Sequence, residues 1–156
     1  MTEGRTFELP DGRRLGYTEL GDPEGFPLFL FHGTPGSRLA HAQGDPVSQI
    51  PGLRIIMTDR PGYGLSDPQP KRTLLDWPDD VAALADHLEL HRFAVAGGSG
   101  GGPHAAACAY RLAERVSVAI LFSSPAPANL AGAAKGLSIG NLISVLSDRL
   151  EKSLQH

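Results

Sequence analysis

The chain has 156 residues, enough for one domain with a real core, and its apolar and charged fractions of 41% and 20% exclude a charge-driven disordered segment. A formal net charge of −3 with scattered Lys and Arg argues against nucleic acid or an anionic membrane as partner, because both reward clustered basic residues. The lone Cys108 excludes an intrachain disulfide and zinc-type cysteine spacing. Without a run of about 18 apolar residues or an apolar signal segment after Met1, no membrane span and a cytoplasmic location are expected.

Phe7–Leu9 reads as a short strand, Pro10-Asp11-Gly12 as a turn and Arg13–Leu20 as the antiparallel partner. Pro27–Phe31 is a short, wholly apolar run, the pattern of a strand buried on both faces. A short helix is expected within Ser37–Gln49. Leu53–Met57 is a second buried-strand run. A helix follows, with Asp76 as its cap, Pro78 in its first turn and an apolar stripe of Val81, Leu84, Ala85 and Leu88. Phe93–Ala96 is a third strand, Pro103–Ala113 an alanine-rich helix and Val116–Phe122 a fourth strand. Asn141–Leu154 is amphipathic, with Leu142, Leu146, Leu150 and Leu154 spaced by four. It reads as a helix packed on its own domain, or as the start of a lid or an interface. The alternation predicts an α/β fold: a mostly parallel sheet preceded by an antiparallel hairpin, with helices on both faces. Ligands in such sheets bind at the carboxyl ends of the strands.

Three loops follow three of these strands. The first, His32-Gly33-Thr34-Pro35-Gly36-Ser37, can turn backbone N–H groups toward a ligand, and two such donors can hold an oxyanion. The second is Asp59-Arg60-Pro61-Gly62-Tyr63-Gly64-Leu65-Ser66, where Asp59 and Arg60 are expected to fix the loop by local hydrogen bonds. The third, Gly97-Gly98-Ser99-Gly100-Gly101, is a G-x-S-x-G between a strand and a helix. Its serine would sit in a strained conformation at the tip of the turn. Gly97 and Gly101 would meet the demand for small residues two before and two after it. The Gly100 N–H would lie at a helix N-terminus, where the dipole favours negative charge. Gly100-Gly101-Gly102-Pro103-His104-Ala105 also satisfies G-x-G-x-x-A, but the acid expected about 20 residues on is absent, as is a P-loop lysine.

In this order and spacing the three motifs resemble the α/β-hydrolase superfamily, its lidded branch with an H-G-x-P loop, in its N-terminal portion. The resemblance implies an α/β-hydrolase-like core over residues 1–130, the start of a lid or cap over 131–156, and C-terminal truncation relative to that family. It further implies that Ser99 is the nucleophile, that the Thr34 and Gly100 N–H groups form the oxyanion hole, and that His32 orients its loop. Gly33, Gly97 and Gly101 support those motifs. The reaction implied is hydrolysis of carboxylic esters or related small acyl substrates, with no metal or organic cofactor.

That family orders its triad as serine, acid, histidine, the last two on loops after further strands. No such strand is visible before His156. His87 and His91 precede the third strand, His104 rides on the helix that leads away from Ser99, and His156 with Asp148 or Glu151 has no strand to position it. Cys108 reads as core. An alternative therefore stands beside the enzyme: a catalytically incomplete relative acting as a binding or self-associating module. Val116–Phe122 is expected to be an exposed apolar edge, which predicts self-association or a complementing partner chain.

Overall fold

β1 (Arg5–Glu8) and β2 (Arg14–Gly21) form the expected antiparallel hairpin, closed at Pro10–Gly12, where Gly12 adopts φ +84°. The molecule is described from a computed structural model covering residues 4–41 and 46–125. The amphipathic segment Asn141–Leu154 and the lid assigned to 131–156 lie outside the described residues. Pro125 aside, the described residues belong to one compact unit, Met1–Ser124.

The apolar runs become β3 (Phe26–Phe31), β4 (Leu53–Thr58), β5 (Phe93–Gly98) and β6 (Val116–Phe122). They are mutually parallel, and the sheet order is β1-β2-β4-β3-β5-β6. β2 pairs antiparallel with β4 and so attaches the hairpin. Alternating residues serve two cores. Phe29, Phe31, Ile56, Phe93 and Val95 pack on one face with Val81, Leu84 and Ala85 of α1 (Trp77–His87) and Ala105 and Cys108 of α2 (Gly102–Arg111). Leu30, Ile55, Met57 and Ala96 fill the other face, with Val47 of the 3-10 turn Pro46–Gln49 against them. Among the described residues, both α-helices pack on the first face. The buried Cys108 thiol is pushed up by desolvation, as suits a core position.

Two local expectations are corrected. The described residues of Ser37–Gln49 hold no α-helix: they form a turn around Arg38–Ala40 and the 3-10 turn Pro46–Gln49. The Arg38 N–H is spent on the Asp59 carboxylate at 2.7 Å, and Pro46 has none to offer. Asp76 does not cap α1 with its side chain. Its carboxylate accepts the Thr73 N–H at 2.6 Å and the Thr73 hydroxyl at 3.0 Å, closing a 3-10 turn, Leu74–Asp76, that runs into α1. The helical start signal thus lies one turn earlier, at Thr73.

Among the described residues β6 is an edge strand. Val118, Ile120, Leu121 and Phe122 are each about half exposed, at 47–52%.

Candidate active site

β3, β4 and β5 end level with one another: Phe31 lies beside Thr58 on one side and Gly97 on the other. The loops that continue from them therefore leave the sheet side by side. β4 lies to one side of β3 and β5 to the other, so the winding direction reverses at this point. Such a reversal opens a crevice at the carboxyl ends of the strands.

Ser99 stands exposed at the tip of the third loop with φ +49°, a left-handed conformation that disfavours a side chain. Strand β5 leads into it, and a 3-10 turn, Ser99–Gly101, leads directly into α2. A Cβ at Gly97 would run into the Gly101 carbonyl. One at Gly101 would run into the carbonyls of Phe31 and His32. Both positions must be glycine: Gly97 because it faces the Gly101 backbone, Gly101 because it faces the backbone at the end of β3.

The first loop lies against the third. A Cβ placed on Gly33 would be 3.3 Å from the Ser99 Cβ and 3.8 Å from its Oγ. A Cβ placed on Gly100 would be 3.3 Å from the Thr34 nitrogen. The structure thus brings together Ser99, Gly33, Thr34 and Gly100, from two loops far apart in sequence.

His32 is buried beneath them. Its Nε2 accepts the backbone N–H of Arg60 at 3.2 Å, so the hydrogen-bond network places the ring proton on Nδ1. That Nδ1 donates to the Gly33 carbonyl at 2.7 Å. Burial lowers the His32 pKa, and the nearby Arg60 guanidinium lowers it further. The ring is neutral and both nitrogens are engaged.

The second loop is less local than its sequence suggests. Asp59 is fully buried and accepts from Leu65 N at 2.9 Å, within its own loop. It also accepts the Arg38 N–H and guanidinium, both at 2.7 Å, in a buried ion pair. Arg60 reaches further. Its guanidinium donates to the Gly33 carbonyl at 2.9 Å, the Thr34 hydroxyl at 2.7 Å and the Gly100 carbonyl at 3.2 Å. Its other flank stacks on Tyr63, with 4.8 Å to the ring centre. Sequence reasoning missed Arg38 and the reach of Arg60. A level register of β3, β4 and β5 is the signal that would have brought Arg60 beside His32.

Three further described histidines stand apart from Ser99 or are engaged with other groups. His87 stacks on Phe7 and His91 is exposed at the amino end of β5. His104 is buried, with Nδ1 3.0 Å from the Gly100 carbonyl and its ring edge-on to Trp77. Desolvation holds its pKa down at about 3. Among the described residues no group of three or more His, Cys, Asp or Glu could hold a metal ion, and no helix is long and apolar enough to cross a membrane.

Residues 27–138 match the family described as alpha/beta hydrolase fold. The non-heme chloroperoxidase of Streptomyces lividans is 32% identical over 124 residues, which are 78% of this chain and 45% of that protein. The proline iminopeptidase of Xylella fastidiosa is 33% identical over 122 residues, 72% of this chain and 37% of that protein. A solved structure, a thermophilic esterase from Thermogutta terrifontis, superposes with a TM-score of 0.67 at 28% identity, covering 81% of this chain and 48% of that one. The chain spans less than half the length of the curated relatives it matches. The match over residues 27–138, most of the sequence, makes the chain a member of the alpha/beta hydrolase fold family.

Proposed function

We propose that the chain carries the nucleophile and oxyanion hole of a serine hydrolase acting on carboxylic esters or related small acyl substrates. One observation carries the reading: Ser99, exposed at φ +49°, stands over Gly33 where the loops bearing Thr34 and Gly100 meet. Ser99 Oγ attacks the carbonyl carbon and gives its proton to a base. The carbonyl π pair moves onto oxygen, and the Thr34 and Gly100 N–H groups receive that charge. Collapse expels the alcohol or amine, which takes a proton, and leaves an acyl-serine for water to cleave. His32, His87 and His104 are engaged elsewhere and His91 is exposed at the amino end of β5, so none of these four supplies the base. Serine at the elbow favours acyl transfer over the alkyl-displacement chemistry of an aspartate nucleophile.

The relatives are named for different reactions, so the acyl class rests on the site and not on their names. Those names are all of enzymes, which lends the pure binding-module reading no support. A fluorophosphonate probe tests the proposal. Covalent labelling of the full natural chain that disappears in Ser99→Ala is expected; no labelling across pH 6–9 sinks it.

A further inference from the structure

The Thr34 N–H and the Gly33 carbonyl are the two ends of one peptide group. A planar trans peptide points them in opposite directions. Whatever fixes the Gly33 carbonyl therefore also aims the Thr34 N–H. Two donors fix it: His32 Nδ1 at 2.7 Å and Arg60 Nη2 at 2.9 Å. Arg60 also donates from Nη2 to the Thr34 hydroxyl at 2.7 Å and from Nη1 to the Gly100 carbonyl at 3.2 Å. His32 itself is held by the Arg60 backbone N–H. One residue thus ties together the loop after β3 and the elbow after β5.

We propose that Arg60 is a positioning residue for the oxyanion hole, a role that rests on Ser99 being the nucleophile. Its planar fork aims the Gly33–Thr34 peptide and ties it to Gly100, the residue that bears the other donor, so the Thr34 N–H is aimed before substrate arrives. The geometry suits arginine and not lysine: three acceptors on two loops need donors spread over a rigid plane, and an ammonium is a point. The side chain is fixed for this task. Arg60 is 4% exposed and packed on Tyr63, and the acceptors it meets are neutral oxygens. Its charge thereby stays available to the space where an oxyanion develops, because none of those acceptors is a carboxylate.

The test compares wild type, Arg60→Met, Arg60→Lys and Thr34→Val in the full natural chain. The readouts are the second-order rate constant for fluorophosphonate labelling and kcat and KM for a neutral p-nitrophenyl ester. Removing a single oxyanion donor costs about 10²–10³ in rate. Arg60→Met should slow labelling and kcat by roughly 10², while KM moves less than about threefold, because the donors act on the transition state. Arg60→Lys should recover only part of the loss. Thr34→Val keeps the Thr34 N–H and the Gly33 carbonyl contacts, so it should cost less than Arg60→Met. Labelling of Arg60→Met at the wild-type rate overturns the proposal. So does a Thr34→Val defect as large as that of Arg60→Met, since the hydroxyl and not the peptide would then be the working contact. If Arg60→Met does not fold, Arg60→Lys decides: wild-type rates overturn the role, and a slowed kcat at unchanged KM supports it. A wild-type chain that never labels overturns the nucleophile reading itself, a result distinct from a labelled wild type with an indifferent Arg60.

Discussion

His104 should make the folded chain sensitive to mild acid. Its ring is 6% exposed, edge-on to Trp77 at 5.8 Å, with Nδ1 against the Gly100 carbonyl. Its Nε2 is buried and meets no hydrogen-bond partner among the described residues, so no group there stabilises a second ring proton. Desolvation first, and the positive charge of Arg60 second, hold the folded pKa at about 3. A histidine in the unfolded chain titrates near 6.5. From pH 6.5 down to 3 the unfolded chain therefore binds a proton that the folded chain does not. Stability from this group is complete above pH 6.5 and falls as the pH falls toward 3. The slope is about 1.4 kcal/mol per pH unit, so lowering the pH from 7.5 to 5.0 removes about 2 kcal/mol through His104 alone. His32, whose pKa is also lowered, adds a loss of the same sign. His104→Gln keeps an amide donor near Gly100 and removes the titrating ring. Urea unfolding at the two pH values, followed by the fluorescence of Trp77, the single tryptophan, reads the difference. The wild-type loss should exceed that of His104→Gln by about 2 kcal/mol. Equal losses in the two proteins would refute the buried, neutral assignment of His104.

Two further outcomes follow from the same contacts. Asp59→Asn leaves the Arg38 guanidinium buried opposite a neutral group; breaking such a pair costs about 3–5 kcal/mol, and a change in urea midpoint worth less than about 1 kcal/mol would show the pair to be incidental. The half-exposed apolar row on edge strand β6 should make these 156 residues self-associate, with the apparent mass by light scattering rising over micromolar concentrations and reverting in Val118→Lys/Ile120→Lys; a wild-type chain that stays monomeric removes that expectation.

β3 to β6 were legible because each is a short apolar run between glycine, proline or polar breaks, and β1 and β2 because the turn Pro10-Asp11-Gly12 separates them; the structure shifts the ends of all six by at most two residues. The elbow was legible for a steric reason: Gly97 and Gly101 are demanded by backbone atoms they face. The contacts of Arg60 were not legible. Its partners lie 26, 27 and 40 residues away, and their approach depends on strand order and register rather than on local pattern. Arg38 gave no signal either. Its partner Asp59 is 21 residues on, and no local pattern links the two. Asp76 was read as the cap of α1; the box it completes with Thr73 was equally visible in the sequence.

The level ends of β3, β4 and β5 also explain why the site's parts need equal spacing from the sheet. Phe31, Thr58 and Gly97 sit in one row. Gly33, Arg60 and Ser99 each lie two residues beyond that row. Side chains alternate faces along a strand, so a shift of one residue in any of the three strands would turn its contribution to the opposite side. A one-residue insertion in β4 would carry Arg60 away from Gly33, Thr34 and Gly100 while leaving Ser99 on its elbow. The strained serine would survive, and the peptide that faces it would lose its clamp. The precision of this half-site therefore resides as much in strand length and pairing as in the motif that first marks Ser99.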